Sequence, residues 1–261
     1  MKVIFLGTGP SRSIPIPAHR DLSCLDAKKQ NSKSKRTRSS LFLNYHNLNL
    51  LIDISPDFLE QVKKNKIKRI DAALITHAHF DAYGGLKDLN EWQKSPLPIF
   101  CRKQTWQVIT RRFNALKNLK FKEINPAKKF KINNLEILAL QVYHSIINEK
   151  KFPTLAYKIN DLIYCSDIKK IPAKSLMSFK NIKTLILDGT MFFNKQIFSH
   201  LNTADAILLA QKLKVKNLYL TQVGHSYPPY KIAQSEINNF VKKNKITTKV
   251  FLAFDGLKIK L

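Results

Sequence analysis

The chain has 261 residues, 44% of them hydrophobic, so it can bury a sizeable core and a disordered chain is excluded. Its 45 basic residues against 18 acidic ones give a formal net charge of +27, a field that attracts phosphates without naming one. No apolar run approaches the roughly 20 residues of a membrane span, and the three scattered cysteines Cys24, Cys101 and Cys165 exclude a four-cysteine zinc site and disfavour a disulfide framework. The excess charge is mostly lysine, and Lys, Asn and Ile are abundant together, as compositional drift would produce. The first apolar run, Val3 to Leu6, is too short for a secretory signal. A soluble, cytoplasmic protein without membrane attachment is therefore expected.

Taken in chain order, VIFL (Val3 to Leu6) ended by GTGP reads as a strand and a turn. The stretch from Lys28 to Ser40, KKQNSKSKRTRSS, reads as a solvated basic loop covering about residues 26–40. LFLNY and LNLLIDI form a hairpin around Asn47, and PDFLEQVKKN suits a helix with Pro56 in its first turn. AALIT (Ala72 to Thr76) is a buried strand, and LKDLNEWQ places Leu86, Leu89 and Trp92 on one helical face. Further strands are expected in LEILALQVYH, TLAYKI, LIYCSD, TLILDG and NLYLTQ, with a helix in TADAILLAQKL capped by Thr203. SEINNFVKKN is a last helix, and KVFLAF with LKIKL reads as a closing hairpin across Asp255-Gly256. No repeat or linker divides the chain, so residues 1–261 are expected to form one α/β domain, a four-layer αββα sandwich of two sheets between helix layers.

Histidines and aspartates gather at the ends of these strands. His77, His79 and Asp81 follow AALIT, His144 ends LQVYH, Asp167 ends LIYCSD, Asp188 ends TLILD, and His225 lies just beyond NLYLTQ. A rigid sheet aims side chains from several such loops into one cleft. In the extended THAHFD, alternate side chains point the same way, so His77 and His79 can grip one ion with Asp81 beneath it. Imidazole with carboxylate suits Zn, Mn or Fe, and a carboxylate such as Asp167 could bridge a second ion to make a two-metal clamp.

At FLGTGPS, RSSLFL, LIDISPDF, THAHFDAYGGL, VYHS, YCSD, LILDGT, SHLNTADA, LTQVGH and AFDG the chain resembles the metallo-β-lactamase fold superfamily. Within it the branch of the phosphoribosyl cyclic phosphodiesterase is nearest, and the tRNA 3′-processing endonuclease is a more distant likeness. The resemblance implies the αββα sandwich and a divalent cofactor, Zn or Mn, in one or two ions per chain. It implies His77, His79 and His144 on the first ion, Asp167 bridging, Asp81 on the second ion and orienting the attacking water, and His200 protonating the leaving oxygen.

Two departures stand out. The motif normally continues HxHxDH, and Ala82 replaces its last histidine; the strand that usually ends LTH here ends LTQ, with Gln222. The second ion thus loses up to two imidazoles, which leaves His225 as its candidate substitute and relatively favours a harder ion such as Mn. A structural zinc of the phosphodiesterase keeps only Cys24 and Asp26 of its donors, which predicts that zinc to be absent.

The expected function is a metal-dependent hydrolase acting on a small, phosphate-containing substrate, a phosphodiester that is cyclic in the nearest resemblance. The alternatives are an endoribonuclease of the tRNA 3′-processing type, which would call for a dedicated docking arm that no long insertion supplies, and a non-hydrolytic polyanion-binding protein with a degraded second metal site. The net charge leaves nucleic acid open as a partner, and the sequence equally leaves a homodimer open.

Overall fold

The computed structural model describes residues 1–147, 150–193, 195 and 197–261, with the backbone alone at 146, 147, 150 and 151. The strands are β1 (Lys2–Gly7), β2 (Ser40–Tyr45), β3 (Leu48–Ile52), β4 (Ala72–Leu74), β5 (Leu97–Cys101), β6 (Leu119–Glu123), β7 (Lys129–Ile132), β8 (Leu135–Ile147), β9 (Lys150–Ile159), β10 (Leu162–Cys165), β11 (Thr184–Asp188), β12 (Asn217–Thr221), β13 (Lys249–Leu252) and β14 (Lys258–Lys260). The helices are α1 (Leu22–Ala27), α2 (Phe58–Lys64), α3 (Phe80–Tyr83), α4 (Leu86–Trp92), α5 (Lys103–Arg112), α6 (Ala173–Phe179), α7 (Thr203–Lys212) and α8 (Tyr230–Lys243).

Two seven-stranded sheets result, in the orders β14-β1-β2-β3-β4-β5-β6 and β13-β12-β11-β10-β9-β8-β7. Each is antiparallel over its hairpin-connected strands and parallel where helices make the crossovers, at β3 to β6 in the first and β10 to β13 in the second. Parallel strands carry helices on one face and the other sheet on the opposite one, so they read as continuous apolar runs.

Adjacent residues sort into different cores. Val3, Phe5, Leu50, Ile52, Tyr164 and Ile186 meet between the sheets. Their neighbours Ile4, Leu6 and Leu51 pack under Phe58, Val62, Leu86 and Leu89 of the helices on the first sheet. Ile163, Leu185 and Leu187 pack under Phe179, Ile207 and Ile237 of those on the second. This two-residue alternation makes the expected four layers.

Three local expectations are corrected. KVFLAF and LKIKL are not paired: β13 joins β12 in one sheet and β14 joins β1 in the other, so Asp255-Gly256 is a crossing between layers. The N-cap of α7 is Asn202, whose side chain accepts from the Asp205 amide at 2.8 Å, one residue before the expected Thr203.

The third correction is the basic loop. Residues 28–31 are exposed, but Ser34, Arg36, Thr37 and Ser39 are buried. The Arg36 guanidinium donates to the Thr8 hydroxyl and to the Ala253 carbonyl, 2.6 Å away. Asp255 accepts from the Thr37 amide and hydroxyl and from the Thr8 hydroxyl. Arg38 donates to Asp57 and to the Ser11 carbonyl. Thr8 also accepts from the Val223 amide, and Ser39 contacts Thr221, so the segment ties the ends of both sheets together. A Cβ on Gly7 would lie 2.0 Å from the Arg38 carbonyl oxygen, which is why the strand ends in glycine there. Replacing Arg36 by Ala leaves these acceptors short of a buried charged donor. It is expected to cost about 3 kcal/mol or more, seen as a lower urea midpoint at unchanged slope; an unmoved midpoint would return the segment to a solvated loop.

Candidate metal centre

The β4 strand delivers Thr76, His77 and His79 to the cleft, and the Gly84-Gly85 pair lets α3 turn directly into α4. A Cβ on Gly85 would sit 2.2 Å from the Ser55 carbonyl oxygen, so a larger residue would push the motif off the sheet. His144 arrives differently. The β8–β9 register shifts between Tyr143 and Ser145, leaving His144 as the extra residue of a bulge. A bulge re-aims one side chain without ending the strand, and here it turns His144 towards His77. Asp167 follows β10, Asp188 ends β11 and Gln222 follows β12.

The ligating atoms of His77, His79 and His144 lie within 4.8 Å of one another, as do those of His144, Asp167 and His200. His77 and His144 are buried and His79 is exposed at the rim. Buried Asp53 accepts from the Thr76 amide at 2.8 Å and from its hydroxyl at 3.0 Å. Burial pushes the Asp53 carboxyl well above its usual range; when Asp53 is ionised it takes the Thr76 hydroxyl proton in a hydrogen bond, and the Thr76 oxygen then accepts from His77 Nδ1, 2.8 Å away. His144 Nδ1 donates to the Ser199 carbonyl at 2.9 Å. Both rings are therefore held in the tautomer that bares Nε2. His77 Nε2 is buried with no hydrogen-bond partner among the described residues, and Asp167 Oδ1 stands 3.9 Å from it and 4.0 Å from His144 Nε2. A buried lone pair without a donor is costly, so this donor set fits a divalent cation.

Charge follows the same geometry. Burial pushes His77 down to about 3, keeping it neutral. Burial works against ionised Asp167, yet its carboxyl is held well below the usual range by the imidazoles around it, of which His200 carries the positive charge. Burial and the Asp167 charge lift Asp81 to about 7. His200 Nδ1 donates to Asp188 at 2.6 Å, and although burial opposes its charge, Asp188 raises it to about 9. The Lys169 ammonium donates to the Ile197 and His200 carbonyls, fixing this stretch over the cleft. Phe152 of β9 stacks on His79, ring centroids 4.6 Å apart.

Residues 48–221 match the family description "Beta-lactamase superfamily domain". The chain belongs to the beta-lactamase superfamily. Among curated proteins it is 30% identical over 241 residues to the octanoyltransferase of Porphyromonas gingivalis (strain ATCC BAA-308 / W83), covering 87% of this chain and 47% of that protein. The chain thus spans about half the length of the curated relative it matches. Among solved structures, a diphosphatase of the PhnP family superposes with a TM-score of 0.84 at 24% identity, over 99% of this chain and 96% of that one. Zinc-bound PqqB of Methylobacterium extorquens gives 0.84 at 18% identity over the whole of both chains. The short form of human tRNase Z gives 0.66 at 17% identity, over 100% and 99%.

Against the family pattern, the structure unites His77, His79, His144, Asp167 and His200. Asp81 lies in neither group of close donors, although the Asp167 charge reaches it. His225 is not in the cleft: its Nδ1 lies 3.3 Å from Asp21 Oδ2, beside His19, whose Nδ1 is 3.4 Å from the same oxygen. The expectation that it replaces a cleft ligand is corrected, because the turn after Gln222 carries it towards α1. His19, Asp21 and Cys24 bring their ligating atoms within 4.8 Å of one another, so this outlying donor group differs from the expected pair of Cys24 and Asp26. Asp26 faces away, accepting from Ser32 and Ser34 and pairing with Lys29.

The residues missed in the sequence are those that orient ligands: Asp53, Thr76, Asp188 as the partner of His200, and the Ser199 carbonyl. Asp53 and Asp188 each close a β-strand run of the kind that placed Asp167, which was the available signal. Thr76→Val preserves shape and removes the relay hydroxyl. It is expected to weaken metal affinity about 10–100-fold in chelator competition with unchanged circular dichroism; unaltered affinity would exclude the relay.

Proposed function

We propose that the chain is a metal-dependent hydrolase of a small phosphodiester. The observation that carries the reading is the buried, unpartnered Nε2 of His77, turned with His144 onto Asp167 beside His200. An ion held by His77, His79, His144 and Asp167 would supply Lewis-acid chemistry and lower the pKa of water. Asp167 keeps its negative charge for that ion beside the cationic His200 and the Gln222 N–H. Asp81, poised near 7, accepts the proton of the attacking water. His200, held cationic by Asp188, gives a proton from its free Nε2 to the departing oxygen. The charge of +27 favours an anionic substrate such as a phosphate ester.

The octanoyltransferase relative does not favour acyl transfer at this site. The match spans about half of that protein, Cys101 and Cys165 are buried in the cores, and burial pushes both thiols up.

The test is turnover of bis(p-nitrophenyl) phosphate and of cyclic phosphodiesters by Zn- or Mn-loaded protein. His200→Ala and Asp81→Asn are each expected to lower turnover about 10²–10⁴-fold while the ion is retained. Metal-loaded protein that cleaves no phosphodiester would overturn the reading. RNA is a separate question, and there affinity should fall steeply as salt rises; a flat response removes nucleic acid as a partner.

A further inference from the structure

We infer that this cleft takes a single divalent ion, and that Gln222, with Ala82, closes the place of a second one. The inference rests on the reading above that His77, His79 and His144 hold an ion, and it concerns what this chain does where the resemblance calls for two more imidazoles.

At position 82 no donor is present. The Ala82 methyl is buried in the apolar cluster of Leu6, Ile54 and Tyr83, and its carbonyl accepts from the Ile54 amide at 2.8 Å. The backbone there is committed to α3, and the side chain at 82 supplies no ligand atom.

At position 222 the amide turns its nitrogen to the cleft carboxylate, while its oxygen, Oε1, is buried without a hydrogen-bond partner among the described residues. Gln222 Nε2 donates to Asp167 Oδ2 at 2.6 Å. A carboxylate only accepts, so the amide nitrogen must face it. Turning the amide over would set two oxygens 2.6 Å apart with no proton between them. An amide nitrogen offers no lone pair to a metal ion, and its hydrogen bond takes one of the two lone pairs of the Asp167 oxygen that a bridging role requires. The other oxygen, Oδ1, is the one facing His77 and His144. The arrangement is specific: Gln222 is buried, at a φ of +58° that non-glycine residues adopt uncommonly. His225, the remaining imidazole, is engaged with Asp21, and Asp81 lies in neither group of close donors.

Gln222 is thus a positioning residue. Its N–H supplies to Asp167 Oδ2 the electropositive contact that a second cation would make, and orients Oδ1 towards the first ion.

Electron paramagnetic resonance of the Mn(II)-loaded full chain reads this directly. Two Mn(II) ions sharing a carboxylate, about 3.5–4 Å apart, give a spin-coupled spectrum, whereas a lone ion gives an uncoupled six-line pattern. An ion at the outlying His19, Asp21 and Cys24 group would add only an uncoupled signal. The wild-type chain is expected to show no coupling even at excess Mn(II). The A82H/Q222H double variant is expected to retain one more ion per chain than wild type after desalting and to show the coupled spectrum. Coupling in the wild type overturns the inference, and so does a folded double variant that gains no ion. Should that variant not fold, Gln222→Ala is informative alone: Mn(II) affinity should fall about 10–100-fold, and unchanged affinity overturns the positioning role. Failure of wild-type protein to retain any Mn(II) or Zn(II) would instead strike the hydrolase reading, so the two are separable.

Discussion

A buried anion organises the cleft. Asp167 is 3% exposed just beyond the end of β10, where an uncompensated carboxylate is expensive. His200 and the Gln222 amide, which donates to Oδ2, answer that cost, and the bared nitrogens of His77 and His144 facing Oδ1 leave a gap that a cation would fill. Each of the three imidazoles is then held from behind. Thr76 and Asp53 fix His77, the Ser199 carbonyl fixes His144, and Asp188 fixes His200. The order of the site is a series of hydrogen bonds running outward from one charge, and its outer members sit on strand ends that the core makes rigid.

The two sheets present these strand ends to the same edge of the sandwich, and the segment from Ser34 to Ser39 runs across that edge. It places Arg36 where one chain end, Thr8, and the far end, Ala253 and Asp255, converge. The lysine excess has a structural use elsewhere. All four edge strands carry exposed lysines: Lys258 and Lys260 on β14, Lys120 and Lys122 on β6, Lys129 and Lys131 on β7, and Lys249 on β13. Charged edges discourage pairing with another sheet, so part of the charge answers to solubility.

What the sequence made legible was local and periodic. Apolar runs such as VIFL and TLILD marked buried strands, and the HxHxD spacing marked the ligands. Pairing partners were not legible, because KVFLAF and LKIKL look like a hairpin until their different sheets are known. The basic segment misled for a related reason: charge alone suggests solvation, and of the acceptors that bury Arg36, the Ala253 carbonyl lies 217 positions away. His225 was assigned from its place in the chain, whereas the turn that follows the left-handed Gln222 sends it to another face. Helix α1, and with it the grouping of His19 and Asp21 around Cys24, carried no periodic signal long enough to read.

The bulge at His144 has a mechanical implication. His77 and His79 leave the first sheet, whereas His144 and Asp167 belong to the second. A cation shared by them would be a cross-link between the two halves of the sandwich, formed only in the native state. By mass action such a ligand adds about 2.7 kcal/mol to the unfolding free energy at a hundred times its dissociation constant. The separation of the two sheets and the departure of the ion would then be one event, and metal availability would set the lifetime of the fold as well as its chemistry.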